Sequence, residues 1–96
     1  MEILVAYDVK TETAAGRRRL RRVAKVCEGF GQRVQFSVFE CVVDAAQLAL
    51  LMHALEREID ATEDNLRIYR LQEPRNRHVQ VLGRELMYDQ RDPLIF

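Results

Sequence analysis

In 96 residues the chain has no tryptophan, two prolines, four glycines and two cysteines. Each scarcity excludes something. So little Gly and Pro rules out collagen-like and low-complexity architectures. Cys27 and Cys41 stand apart rather than in a C-x-x-C pair. They read as small buried hydrophobes, not as a disulfide or a metal site. No apolar run approaches the roughly 20 residues of a membrane-spanning helix. The N-terminus lacks a signal peptide's basic start and small-residue cleavage site, so the sequence predicts a cytoplasmic protein with no membrane partner. His53 and His78 lie far apart without ligand spacing and read as surface residues. A Gly-rich phosphate loop, a nucleophile elbow and a dinucleotide fingerprint are all missing.

What is present is an ordinary globular composition, 48% hydrophobic and 31% charged, of a length that suits one domain over residues 1–96. The net charge of zero, from 15 basic and 15 acidic side chains, conceals an uneven distribution. Residues 17–25, "RRRLRRVAK", hold six basic side chains and no acid; residues 56–64, "EREIDATED", hold five acids and one arginine. Arg67, Arg70, Arg75 and Arg77 follow. Separated blocks of this kind predict a surface with a positive face.

Hydrophobic periodicity supplies the elements. Residues 2–9 read as a strand, and "TETAAG" as turn and capping residues. Leu20, Val23, Ala24 and Cys27 form the i, i+3, i+4, i+7 stripe of an amphipathic helix, with Gly29 and Gly31 as its stop. "QRVQFSVFECVV" is β-branched and aromatic but too long for one strand, so two strands with a bend near Phe36 and Ser37 are expected. Asp44 and Gln47 have capping-box spacing ahead of a stripe of Leu48, Leu51, Met52, Leu55 and Ile59. "NLRIYRL" reads as a fourth strand, "HVQVLG" as a fifth, and residues from about 84 to 96, ending in "QRDPLIF", as an extended tail. The order βαββαβ predicts an α+β ferredoxin-like fold, with two helices on one face of an antiparallel sheet and an additional C-terminal fifth strand. In the first strand Ile3, Val5 and Tyr7 alternate with Leu4 and Ala6, so both faces are largely apolar. A second face of that character predicts a twofold homodimer, with the fifth strand free to cross to the partner's sheet edge.

Two features point to chemistry. Asp8 closes the first strand, where an acid either caps a turn or binds a divalent metal. A twofold axis near the strand end would bring in the Asp8 of a second copy, and two carboxylates together favour a cation between them. Glu40, read as a strand surface residue, and Asp44, a helix cap, are weaker ligand candidates. The second feature is the basic helix. Arg18, Arg21, Arg22 and Lys25 share the face opposite the apolar stripe, flanked by Arg17 and Arg19. Clustered guanidinium forks suit phosphate, and with no base-reading motif beside them the expected contact is to a nucleic-acid backbone, independent of sequence. Phe39 reads as core in preference to a base-stacking platform, and Ser37 has no evident base beside it.

The strand "LVAYDV", the basic helix, "RVQFSVFEC" and "LRIYRL", in this order and with the "DPLIF" tail, make the chain similar to the CRISPR-associated protein 2 family, the small partners of the CRISPR integrase. The resemblance implies a ferredoxin-like homodimer acting in spacer acquisition, where the dimer bridges integrase dimers and supports DNA. It also implies that Asp8, beside Tyr7, is a metal-binding aspartate, with Arg19, Arg33, Ser37 and Phe39 around a nuclease site. Family members include magnesium-dependent nucleases acting on single-stranded RNA or double-stranded DNA, with Mn²⁺ a possible substitute for Mg²⁺. Two functions therefore stand side by side: a metal-dependent endonuclease, and an architectural DNA-binding subunit whose "DPLIF" tail docks the integrase. A ferredoxin-like regulatory domain for a small ligand fits the fold but not the arginine run.

Overall fold

The computed structural model describes residues 1–83, in the order β1 (Glu2–Asp8), α1 (Ala14–Glu28), β2 (Gly31–Gln35), β3 (Val38–Val42), α2 (Ala45–Glu58), β4 (Asn65–Leu71) and α3 (Arg75–His78). The strands form one antiparallel sheet in the order β2-β3-β1-β4, so the first strand sits inside, flanked by β3 and β4. This is the ferredoxin-like α+β arrangement.

Local chemistry explains the boundaries. Thr13 caps α1, its hydroxyl oxygen accepting from the Gly16 amide at 3.0 Å. Gly16 itself is required: a Cβ there would collide with the Lys10 carbonyl oxygen, because the loop leaving β1 runs tightly over the first turn of the helix. Asp44 and Gln47 make the expected reciprocal capping box at 2.7 and 2.9 Å. The long apolar run breaks where anticipated, into β2 and β3 joined by a turn at residues 36 and 37, with an irregularity in register between Arg33 and Gln35.

Side-chain alternation divides the sheet. Ile3, Val5 and Tyr7 of β1 and Phe39 and Cys41 of β3 point to the helical side, where they meet Val23, Ala24 and Cys27 of α1 and Leu51 and Leu55 of α2. Phe39, Val5, Val23, Cys27 and Leu51 are fully buried, each large side chain among them contributing about 1.5–3 kcal/mol relative to exposure. The thiols are free and buried as anticipated, and burial pushes Cys27 up to about 12 and Cys41 up to about 11. Ladder partners on the other face are Leu4 with Glu40 and Tyr69, and Ala6 with Val38 and Arg67. No helix among the described residues covers that face.

Two expectations are corrected. Residues 78–83 do not form a fifth strand: His78 closes the helical turn α3, and residues 79–83 follow without a ladder partner among the described residues. Glu40 is buried at 8% exposure instead of lying on the surface, because it faces Leu4 in the middle of the sheet. The extended tail of residues 84–96, "DPLIF" included, lies outside the described residues.

Candidate metal site and nucleic-acid interface

Asp8 stands at the last position of β1, exposed, directly across from Asn65 of β4. Alternation places it on the open side of the sheet with Leu4 and Ala6, opposite its neighbour Tyr7. Its carboxylate makes no hydrogen bond or ion pair with the described residues. No cluster of three His, Cys, Asp or Glu side chains suited to a metal occurs among the described residues. One chain therefore offers one exposed, unpartnered carboxylate at the rim of the face that the helices leave uncovered. That donor set fits a hydrated divalent ion when a second carboxylate joins it, because Mg²⁺ takes one or two carboxylates and retains several waters.

Beneath this rim, on the helical side, lies a column of stacked groups. The Tyr7 and Phe39 rings are 6.3 Å apart and inclined by 22°, and the Arg33 guanidinium lies 5.1 Å over the Phe39 ring. Arg33 also donates to the Phe36 carbonyl oxygen at 2.9 Å and pairs with Glu28 at 3.7 Å. The Tyr7 hydroxyl is buried with no hydrogen-bond partner among the described residues, and burial, with the Cys27 thiol adding to it, holds its phenol above the usual tyrosine range. Tyr7 and Phe39 thus lie behind the strand, not beside the Asp8 carboxylate. Ser37 sits in the β2–β3 turn, where its backbone carbonyl accepts from the Tyr7 amide at 3.0 Å. Of the six residues expected at or around a nuclease site, Asp8 alone presents itself on the open rim, and Arg19 lies on α1, bound to Asp64. Arg33, Ser37, Tyr7 and Phe39 shape the strand end that carries it.

The basic helix divides in two. Arg18, Arg21, Arg22 and Lys25 are exposed on the outer face of α1, and Arg17 is exposed beside them, donating to the Thr11 carbonyl oxygen at 3.1 Å. Arg19 is different. Its Nε and a terminal nitrogen donate to the two carboxylate oxygens of Asp64 at 2.8 and 3.2 Å, a bidentate pair in which the Asp64 side chain has no exposed surface. Asp64 also accepts from the backbone amides of Lys10 at 3.2 Å and Asp60 at 2.9 Å. These donors, the Arg19 guanidinium first, hold its carboxyl below the usual aspartate range. Sequence reasoning missed this clamp. The partners are 45 residues apart, and Asp64 sits in an acidic block that reads as solvated surface; no local signal singles it out.

With this geometry in place, the chain's relatives decide its family. The family model described as CRISPR associated protein Cas2 matches residues 1–79. The chain belongs to the Cas2 family. A Cas2 of Moorella thermoacetica, named a CRISPR-associated endoribonuclease, is 55% identical over 95 residues, covering 99% of each chain. A Cas2 of Halalkalibacterium halodurans, named a CRISPR-associated endonuclease, is 49% identical over 96 residues and covers 100% of both. The crystal structure of Streptococcus pyogenes Cas2 at pH 6.5 superposes with a TM-score of 0.79 at 52% identity, over 86% of this chain and 100% of that one. The architecture described above is therefore a Cas2 fold, and its four-stranded sheet and two long helices are the framework on which Asp8 and the arginine face are displayed.

Proposed function

We propose that this Cas2-family chain acts as a homodimeric, metal-dependent endonuclease of CRISPR adaptation, hydrolysing phosphodiester bonds of RNA or DNA at Asp8. The observation that carries this reading is the position of Asp8, an exposed carboxylate without a partner among the described residues, at the rim of the sheet face that neither α1 nor α2 covers. Packing two copies across that face buries Leu4, Ala6, Val38 and Tyr69 and leaves the two Asp8 side chains at its edge. The pair would hold Mg²⁺, with Mn²⁺ as an alternative. Bound there, a divalent ion supplies Lewis-acid polarisation of a phosphoryl oxygen and lowers the pKa of a coordinated water. Asp8 holds and orients, while the Tyr7–Phe39–Arg33 column fixes the strand end from behind. The endoribonuclease and endonuclease names of the relatives support hydrolysis by this chain.

A second reading, a DNA-binding scaffold that joins integrase dimers during spacer acquisition, is favoured by a separate observation. Arg18, Arg21, Arg22 and Lys25 present four cations on one face of α1 with no acid between residues 17 and 25, a backbone-binding track needing no catalysis. Cleavage of labelled single-stranded RNA and double-stranded DNA with Mg²⁺ or Mn²⁺ separates the two. For the endonuclease, Asp8→Asn loses cleavage while remaining dimeric and binding nucleic acid within a few-fold of wild type. Equal cleavage by Asp8→Asn moves the hydrolytic centre away from Asp8, and no cleavage by either protein leaves the scaffold.

A further inference from the structure

Phe36 and Phe39 are three residues apart and have opposite surroundings. Phe39 is fully buried, whereas Phe36 is 90% exposed at the tip of the β2–β3 turn. The turn lies at the Asp8 end of the sheet. Val38 pairs with Ala6, the Ser37 carbonyl accepts from the Tyr7 amide at 3.0 Å, and Phe36 is the next residue outward in the turn, as Asp8 is the next residue outward along β1. The ring rides on a braced support, since the Arg33 donation to the Phe36 carbonyl at 2.9 Å ties the turn to the guanidinium stacked on Phe39. Arg33, Val34, Gln35, Ser37 and Val38 line an open depression around it. Residues 29–39 include no acid; the nearest cation, Arg33, braces the Phe36 carbonyl and is paired with Glu28 at 3.7 Å.

A single exposed apolar side chain is ordinary. A flat ring on a braced turn, beside a candidate phosphodiester site and in an acid-free segment, has a more specific use, because every nucleobase has a π-face and stacks on an aromatic ring without regard to sequence. We propose that Phe36 is a stacking platform for an unpaired base next to Asp8, so that the site prefers nucleic acid whose bases are not tied up in a duplex. The role rests on reading Asp8 as the hydrolytic centre, but binding at Phe36 is measurable without it. The platform is Phe36 and not Phe39, whose ring is enclosed by Tyr7, Arg33 and the core.

The chain's lack of tryptophan makes the test clean. Phe36→Trp introduced into the Asp8→Asn dimer gives one indole per chain in a protein that cannot cleave its ligand on the proposed reading. Titration with an oligo-dT of about 12 nucleotides is expected to quench that fluorescence saturably, while a blunt duplex of equal length leaves it nearly unchanged. Phe36→Ala in the otherwise wild-type dimer is expected to bind the oligo-dT roughly 5- to 150-fold more weakly and the duplex as before. Single-strand binding without quenching, or equal affinity in Phe36→Ala, overturns the proposal. So does dissociation of the Phe36→Ala dimer, which would place the ring between subunits. Quenching together with undiminished cleavage by Asp8→Asn would retain the platform and discard Asp8 as the hydrolytic residue.

Discussion

The two faces of the sheet are built from alternate residues of the same strands and do different work. On the helical face Ile3, Val5 and Phe39 are fully buried beneath α1 and α2, and the register leaves no alternative packing, because a one-residue slip would turn all of them outward. On the other face Leu4, Ala6, Val38 and Tyr69 supply apolar surface among the charged residues Glu2, Glu40 and Arg67; Tyr69 is 46% exposed, with Arg67 donating to its hydroxyl at 3.3 Å. The first face is closed by the chain itself and decides whether it folds. The second is left for something outside the described residues, and Asp8 sits on its rim. On the proposed reading, a second copy packed on this face completes a site that one chain supplies only in part.

The closed face should give the largest effect. Phe39→Ala removes a fully buried ring and the support of Arg33 and Tyr7; urea unfolding should register a loss of about 3–5 kcal/mol, a large share of the ~5–15 kcal/mol typical of a domain. Next comes the outer surface of α1. Alanine at Arg18, Arg21 and Arg22 together should weaken duplex binding tenfold or more at about 0.1 M salt, with little change in thermal stability. The log–log salt slope should flatten by about one for each phosphate that an arginine no longer neutralises. Fluorescence anisotropy across a salt series reads both.

Smaller effects test the clamp and the core thiols. Asp64→Asn should lower Tm by several degrees by breaking the bidentate pair with Arg19 and loosening the loop after Asp8. The sign of its pH dependence follows from the lowered carboxyl of Asp64. A depressed folded-state pKa contributes stability above the unfolded value, about 3.9, that fades as pH falls through the folded one. The difference in Tm between wild type and Asp64→Asn should therefore be full at neutral pH and shrink in acid below about pH 4; a gap that widens in acid would contradict it. Smallest of all, Cys27 and Cys41, held as neutral thiols by burial at about 12 and about 11, should resist alkylation near pH 8 in the native protein and react fully in urea.

The fold was legible because its signals are local. The stripe from Leu20 to Cys27, the Asp44–Gln47 box and the break near Ser37 each depend on residues within a few positions. Glu40 was misread because its burial depends on Leu4 across the ladder. "HVQVLG" alternates like a strand, but a strand exists only with a ladder partner, and the described residues supply none for 79–83. At the site, Asp8 was visible as an acid closing an apolar run. Arg19 was not separable from Arg18 by sequence, because its distinguishing partner, Asp64, comes from the turn before β4. Phe39 was legible as core and the bend near Phe36 was expected; the turn geometry adds that the Phe36 ring stands almost fully in water.

The most direct measurement concerns the open face. Leu4→Glu places a charge in that face, opposite Glu40 and Tyr69 and away from the helical core. Sedimentation velocity and Mg²⁺-dependent cleavage should be recorded on the same samples of wild type and Leu4→Glu, with circular dichroism confirming that both are folded. A folded monomer that retains Asp8 yet no longer cleaves, beside a wild-type dimer that does, is the expected result. A folded monomer cleaving at the wild-type rate would show that one Asp8 suffices and that the open face has no part in the site.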